Sequence, residues 1–189
     1  MKRISLLALL VGSVAAPFLF YVARGARSSQ PAVSAASPEM DRLAKALAGD
    51  WNTTEKMERG EFFPNGGSRH GQTHVYLAAG GTTLIDEVHS DGSAGKLDGI
   101  VVIWWDKQAG LYRFFTCFND PSSPCELRGT AHWDGDAFVN DYEAMVGGKM
   151  TKWRDSFIQI TPKSHSLVAA VDDGNGNYET LITTTSTRR

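Results

Sequence analysis

The chain has 189 residues, of which 42% are hydrophobic and 21% charged, and its formal net charge is −2 at pH 7. This is ordinary globular composition with enough length for one well-buried domain, and it excludes a second full domain. The slightly acidic balance also excludes a nucleic-acid-binding protein, for which we expect a basic stripe interleaved with exposed aromatic residues.

Residues 1–26 have the pattern of an export segment. Two basic residues precede an apolar run from 4 to 23, which is about as long as a membrane span but contains Pro17. A cleaved signal peptide is favoured, and a retained anchor in the inner membrane is the alternative. We therefore expect a periplasmic or secreted protein that contacts a membrane only through this segment. Its removal deletes three basic residues and no acid, which lowers the formal net charge from −2 to −5.

Residues 27–38 are rich in Ser, Ala and Pro and are predicted to be a flexible linker. The folded domain is predicted to span 39–189, and it begins with one short helix. Ser37 fits the N-cap and Pro38 the first helical position, and the helix is expected to end at Gly49. One stripe of this helix is apolar at spacings of three and four residues, and it consists of Met40, Leu43 and Leu47.

Beyond the helix, glycine-rich and Asn-Gly turn signals separate about ten short strand patterns. No further helix of useful length intervenes, so each strand is expected to pair with the previous one. The predicted fold is all-β, an antiparallel up-and-down barrel preceded by the helix. The predicted strands span 51–61, 69–78, 82–90, 97–106, 111–118, 126–133, 137–145, 149–160, 165–172 and 177–188.

The motif Gly49-x-Trp51 between the helix and the strands, with Arg188 or Arg189 at the end of the last strand, resembles the signature of the lipocalins and calycins. The chain is also similar to the bacterial family named domain of unknown function 1579. Both resemblances imply a lipocalin-like barrel in which Arg188 packs over Trp51 and closes the base, and neither implies an agreed activity. The short motifs behind the second resemblance include Leu47-Ala48-Gly49-x-Trp51, Gly80-Gly81, Leu97-Asp98-Gly99, Trp105-Asp106 and Thr187-Arg188.

Two cysteines, Cys117 and Cys125, flank a Pro-rich turn between two predicted strands. In an oxidising compartment a hairpin would bring them within the separation that a disulfide requires. The alternative is a pair of unbonded small core residues. A redox-catalytic pair is disfavoured because the spacing is not Cys-x-x-Cys.

No catalytic, metal or cofactor motif stands out. Glu87 and His89 share a face of one predicted strand beside Asp86 and could form a general base, but a polar solvent-facing surface explains them as well. The loop 172–177 resembles a calcium loop but lacks its required glycine and acid, so an Asn-Gly turn accounts for it. The five histidines do not have the spacing of a metal site, and they are His70, His74, His89, His132 and His165.

The predicted strands 97–106 and 111–118 carry bulky apolar residues on both faces, so they are either buried on both sides or line a wide hydrophobic interior. In the predicted strand 149–160, Trp153, Asp155 and Phe157 share a face. We therefore expect the barrel to bind a small hydrophobic molecule between its strands. The predicted ligand-binding residues are Trp104, Arg113, Phe114, Trp153 and Arg154.

The two arginines among them allow two interpretations. Inside the barrel, Arg113 or Arg154 would pair with the carboxylate of a ligand. At the surface, Asp141, Glu143 or Asp155 would neutralise them, and this pairing is favoured. Two alternative functions also stay open, namely a hydrolase- or isomerase-type enzyme and a membrane-anchored interaction module of the cell envelope.

Overall fold

The computed structural model describes residues 36–119, 125, 127–146 and 149–189. Helix α1 (Pro38–Leu47) is followed by ten strands and a single 3₁₀ turn at Ala79–Gly81. The strands are β1 (Gly49–Met57), β2 (Gly67–Ala78), β3 (Thr83–Gly92), β4 (Leu97–Asp106), β5 (Leu111–Phe118), β6 (Leu127–Asp134), β7 (Ala137–Val146), β8 (Lys149–Ile158), β9 (Ser164–Asp172) and β10 (Tyr178–Arg188). The predicted export segment, 1–26, and the linker as far as 35 lie outside the described residues.

The ten strands form one closed antiparallel barrel. Each strand pairs with its neighbours in sequence, and β1 pairs with β10 to complete the ring. In that last ladder Trp51 lies opposite Arg188, and the ladder between β9 and β10 has a register shift between Thr180 and Ile182. The predicted fold class, an up-and-down lipocalin-like barrel of ten strands after one helix, is therefore confirmed.

Helix α1 covers one end of the barrel, which we call the helix end. The Ser37 side chain accepts a hydrogen bond from the backbone N–H of Met40 at 3.2 Å, which caps the helix as its sequence predicts. The apolar stripe is buried against the ends of β2, β3 and β4, with Leu43 fully covered. Within the described ranges, no helix is long and apolar enough to cross a membrane.

Two strands end earlier than predicted, for local reasons. β1 stops at Met57 instead of 61 because the following residues fold into turns, in which Gly66 N–H donates to the Phe63 carbonyl at 2.8 Å. β8 stops at Ile158 instead of 160 because Gln159 adopts a left-handed backbone conformation with φ 53°. A β-strand cannot continue through such a residue.

The two ends of the barrel interior differ in packing. At the helix end, a cluster of large side chains fills the interior between α1 and the strands, and Trp51 and Phe138 are fully buried within it. Towards the opposite end, which we call the far end, the inward side chains surround a cavity. A single hydrophobic core therefore occupies one part of the barrel and leaves another part free.

The predicted disulfide joins Cys117 at the end of β5 to Cys125, eight residues later. Replacing both cysteines by serine is expected to lower the free energy of unfolding by about 2–3 kcal/mol, because the unfolded chain then loses a short closed loop. Urea unfolding of the oxidised wild type and the variant measures the difference. A reductant should destabilise the wild type and leave the variant unchanged, and two free thiols in native wild-type protein would contradict the prediction.

Candidate ligand-binding site

A cavity of about 250 Å³ lies inside the barrel between the packed helix end and the far end. Its walls are mainly apolar and include Leu84, Ile103, Phe114 and Phe157. Every strand contributes to this lining, because alternate residues of each strand face inwards. A cavity of this size fits a small molecule and is slightly below the usual range for ligand pockets, about 300–1,000 Å³.

Several buried polar atoms in the described part of the chain have no hydrogen-bond partner, and all of them belong to side chains that line this cavity. Native proteins leave few buried polar atoms unsatisfied, so a cluster of them calls for an explanation. The atoms are Oδ1 of Asp86, Oγ of Ser90, Oδ1 of Asn140, Nε1 of Trp153 and Nδ1 of His165.

Four of the polar cavity residues lie on two neighbouring strands, and we call this group the β7–β8 corner. It consists of Asn140, Tyr142, Trp153 and Asp155. Asn140 lies directly opposite Asp155 in the ladder, and Tyr142 lies opposite Trp153. The Tyr142 hydroxyl donates to Asp155 Oδ1 at 3.2 Å, and the Tyr142 and Trp153 rings stack with their centroids 6.2 Å apart.

Burial dominates the electrostatics of the β7–β8 corner. It raises the pKa of Asp155 from 3.8 to about 7, and the hydrogen bond from Tyr142 and the charge of Asp141 have smaller, opposing effects. Burial also raises the pKa of Tyr142 well above its usual value. Asp155 therefore changes its charge near neutral pH, while Tyr142 stays protonated there.

Asp86 lies on the opposite wall of the barrel, because four strands separate β3 from β8 in either direction. Burial, assisted by the negative charge of Glu87 and opposed by His74, raises its pKa from 3.8 to about 7. Its neighbours across the ladders are the apolar Val75 and Val101. Asp86 thus brings a second acid to the cavity from an apolar wall.

The cavity also contains one complete ion pair. Arg69 on β2 donates from Nε and Nη2 to the two carboxylate oxygens of Glu55 on β1, at 2.8 and 3.0 Å. Both side chains are largely buried, with exposed fractions of 8% and 14%. This bidentate geometry satisfies both charges, so Arg69 is not free to neutralise another acid.

His165 enters the interior near the helix end. Its ring packs edge-on against Trp51, with centroids 4.6 Å apart, and also contacts Phe157. Burial, assisted by the positive charge of Arg188, lowers the pKa of His165 from 6.5 to about 4. This histidine is therefore neutral at pH 7 and adds no positive charge to the cavity.

The predicted base closure involves Arg188 at the helix end. Its guanidinium carbon lies 4.3 Å from the centre of the Trp51 ring, while Nε and Nη2 donate to the carbonyls of Pro162 and Ala48 at 2.7 and 3.1 Å. A side chain on Gly49 would overlap this guanidinium. Glycine at this position thus allows the arginine to approach the backbone.

Only part of the predicted ligand set faces the cavity. Phe114 and Trp153 line it, whereas Trp104, Arg113 and Arg154 lie on the outer face, contrary to the prediction. The reason is alternation: the inward residues are Ile103 on β4 and Phe114 on β5, so their neighbours point outwards. The binding of a ligand by Phe114 and Trp153 remains a prediction.

Both arginines have partners at the surface. Arg113 Nε donates to Asp106 Oδ2 at 2.6 Å, and Arg154 Nε donates to Asp141 Oδ1 at 2.8 Å. The Arg154 guanidinium also lies over the ring of Tyr178, 4.4 Å from its centre. Neither arginine can pair with the carboxylate of a ligand in the cavity.

Glu87 and His89 also lie on the outer face. Glu87 accepts a hydrogen bond from the Tyr76 hydroxyl at 3.0 Å, and His89 contacts Asp98 at 2.9 Å. The general base predicted from this pair therefore lies outside the cavity. Across the part of the chain that the structure describes, no three His, Cys, Asp or Glu side chains are grouped to hold a metal ion.

Apart from Trp153, the inward polar residues are not among the predicted site residues. Asp155 shares its face with Trp153 and Phe157, as the sequence pattern indicates, and that face is the inner one. An acid that alternates with two large aromatic residues is unusual on a solvent-facing strand, so this pattern could have identified Asp155 as an inward residue. Asp86, Asn140 and His165 had no comparable signal.

Comparisons with known proteins give a likeness of fold but no family. No protein-family model matches the chain, and no curated protein matches it. Among solved structures, the barrel is similar to an S-type phycobiliprotein lyase from Guillardia theta, with a TM-score of 0.49 and 10% sequence identity over 79% of this chain and 92% of that chain.

Proposed function

We propose that this protein is an exported barrel that binds a small, largely apolar molecule in its interior. The observation that carries the proposal is the combination of a mainly apolar cavity with a set of unpartnered polar atoms on its walls. Specific ligand pockets have this construction, in which apolar walls supply affinity and a few polar groups fix the orientation.

The energetics favour a bound molecule over a filled core. A buried polar atom without a partner costs about 1–3 kcal/mol, and the cavity contains several. Apolar side chains of similar size would avoid this cost, as they do at the helix end around Phe138. A ligand that contacts these polar side chains would offset part of this cost.

The binding function is preferred to the enzyme hypothesis. Glu87 and His89, the candidates for a general base, face outwards and have partners there. Asp86 and Asp155 do line the cavity, but among the described residues no Ser, Cys or His side chain is hydrogen-bonded to either acid to complete a catalytic arrangement. Export is supported by the sequence of 1–26 and by the disulfide, which is typical of an oxidising compartment.

Native mass spectrometry of protein purified from the cell envelope or medium of its own host tests both parts of the proposal. We expect a mature chain that begins after residue 26, or the full chain if an anchor is retained. We also expect an additional non-covalent mass that is released on denaturation. A chain that stays in the cytoplasm would contradict export, and the absence of any bound mass would contradict occupancy of the cavity.

A variant that fills the cavity tests whether the bound molecule lies inside it. Ala169 lines the cavity on β9 beside Asp155, so Ala169→Phe places an aromatic ring inside it. We expect this variant to lose the bound mass, at a stability cost of about 1–3 kcal/mol for overpacking. Ser166→Phe adds a large ring to the outer face of the same strand and should retain the bound mass. Equal occupancy in the two variants would place the ligand elsewhere.

A further inference from the structure

We propose that the ligand of this cavity is a small amphipathic amine, whose ammonium group pairs with the carboxylate of Asp155 in the β7–β8 corner. The inference rests on the proposed binding function and adds the chemical class of the ligand. It differs from the less favoured alternative of a ligand carboxylate bound by arginine, since Arg113 and Arg154 lie outside the cavity.

The charge balance of the cavity walls favours a cationic ligand. The ion pair between Arg69 and Glu55 is neutral as a whole, and His165 is uncharged at pH 7 because burial lowers its pKa to about 4. Asp86 and Asp155 have no cationic partner among the described residues that line the cavity. The titratable side chains in that lining are Glu55, Arg69, Asp86, Tyr142, Asp155 and His165.

The arrangement of hydrogen-bond acceptors in the β7–β8 corner suits an ammonium group. Asp155 has a carboxylate, the Oδ1 atom of Asn140 opposite it has no partner, and the Tyr142 hydroxyl oxygen lies 3.2 Å from the carboxylate. An ammonium group has three N–H donors and no acceptor. Acceptors from three adjacent side chains match such a group, and Asn140 is itself buried, with 5% exposure.

The apolar surface around these acceptors suits the rest of an amphipathic molecule. The stacked rings of Tyr142 and Trp153 flank the corner, and Phe114 packs edge-on against Tyr142 at 5.8 Å. Aromatic faces attract cations and also accommodate the apolar part of an amphipathic molecule. The indole N–H of Trp153 is an unpartnered donor, which an oxygen atom on the same ligand would satisfy.

The same features disfavour an anionic ligand. A carboxylate in the cavity would meet two acids and no free cation in the described lining, and it would have to be desolvated without compensation. A neutral ligand would avoid this repulsion but would leave Asp155 without a charged partner. The expected order of affinity is therefore amine, then neutral analogue, then carboxylate.

Isothermal titration calorimetry with three probes of similar size tests this order on the full mature protein. The probes are 2-phenylethylamine, 2-phenylethanol and phenylacetate, which carry a cationic, a neutral and an anionic group on the same aromatic body. At pH 8 we expect the amine to bind about 10- to 100-fold more tightly than the alcohol, and phenylacetate to bind least. Binding of the alcohol or phenylacetate in preference to the amine overturns the inference and leaves the proposed binding function intact. No binding of any probe also overturns the inference, whereas the proposed binding function is decided separately by the bound mass in native mass spectrometry.

The pH dependence of amine binding provides a test that needs no variant. Burial raises the pKa of Asp155 to about 7, and an alkyl ammonium stays charged well above that pH. Below pH 7 the amine must displace a proton from Asp155, so affinity should fall by up to about tenfold per pH unit. Buffers of different ionisation enthalpy should then report release of about one proton per bound amine. A pH-independent affinity overturns the inference.

Matched variants assign the effect to one carboxyl. Asp155→Asn keeps the shape and removes the charge, and it should weaken the amine about 10- to 100-fold while changing affinity for the alcohol little. Glu143→Gln removes the same charge from the exposed outer face of β7 and should leave amine binding unchanged. Asp86→Asn, on the opposite wall, should have an intermediate effect. An equal loss in Asp155→Asn for amine and alcohol, or a loss in Glu143→Gln, overturns the assignment to Asp155.

Discussion

Replacing Trp51 by alanine is expected to lower the free energy of unfolding by about 3–5 kcal/mol, the range for truncating a large buried aromatic residue. Trp51 is fully buried, and its indole N–H donates to the Leu47 carbonyl at 2.9 Å. This bond ties the last turn of α1 to the first strand. The truncation would therefore open a cavity under Arg188 and loosen the attachment of the helix.

A series of smaller changes separates the packing of this residue from its polar contacts. Trp51→Phe keeps a ring beneath the Arg188 guanidinium and loses the hydrogen bond to Leu47, so we expect a cost of about 1–3 kcal/mol. Arg188→Ala removes the cation over the ring and two hydrogen bonds to carbonyls, and should cost about 1–2 kcal/mol.

Arg189→Ala is the matched control for the arginine at the base of the barrel. Arg189 is exposed and donates to the Gln72 side chain at 3.0 Å, so its loss should change stability by no more than about 0.5 kcal/mol. Urea unfolding followed by tryptophan fluorescence and circular dichroism measures all four variants. Equal effects of Arg188→Ala and Arg189→Ala would contradict a specific role of Arg188 in closing the base.

The fold could be predicted because its signals are local. Ser37 and Pro38 mark the start of α1, and glycine or Asn-Gly turns separate the strands, so most predicted boundaries lie within two residues of the observed ones. β1 ends earlier than predicted, at Met57, because turns follow it, and β8 ends earlier, at Ile158, because Gln159 adopts a left-handed conformation. No residue pattern predicted either feature. Up-and-down pairing then follows from the short connections.

The site could be predicted only in part, because it depends on which face of each strand points inwards. A shift by one residue exchanges the two faces of a strand, and β4 and β5 carry bulky apolar residues on both. Trp104 and Ile103 were therefore equally plausible as interior residues. The polar cavity groups depend further on barrel closure, which brings Asp86 and Asp155 into one interior from strands on opposite walls.

Asp155→Asn is expected to gain stability relative to the wild type as the pH rises. The pKa of Asp155 is about 7 in the folded protein and 3.8 as the ordinary value. Below about pH 3.8 both states hold the proton, and between pH 3.8 and 7 the unfolded chain loses it while the folded protein retains it. The free energy of unfolding of the wild type therefore falls by about 4 kcal/mol across this window on account of Asp155, and the variant escapes this loss.

The measurement is the difference in unfolding free energy between variant and wild type from pH 3.5 to 8. His165 acts in the opposite direction, because its folded pKa of about 4 lies below 6.5 and the stability it contributes is lost as the pH falls. Both proteins contain His165, so its effect cancels in the difference. The unfolding free energy of the variant minus that of the wild type should therefore increase by about 4 kcal/mol from pH 3.5 to 8. Glu143→Gln on the outer face should differ from the wild type by less than about 0.5 kcal/mol at every pH. A constant difference for Asp155→Asn would mean that Asp155 is as well solvated as a surface acid, and the charge argument for an amine ligand would lose its basis.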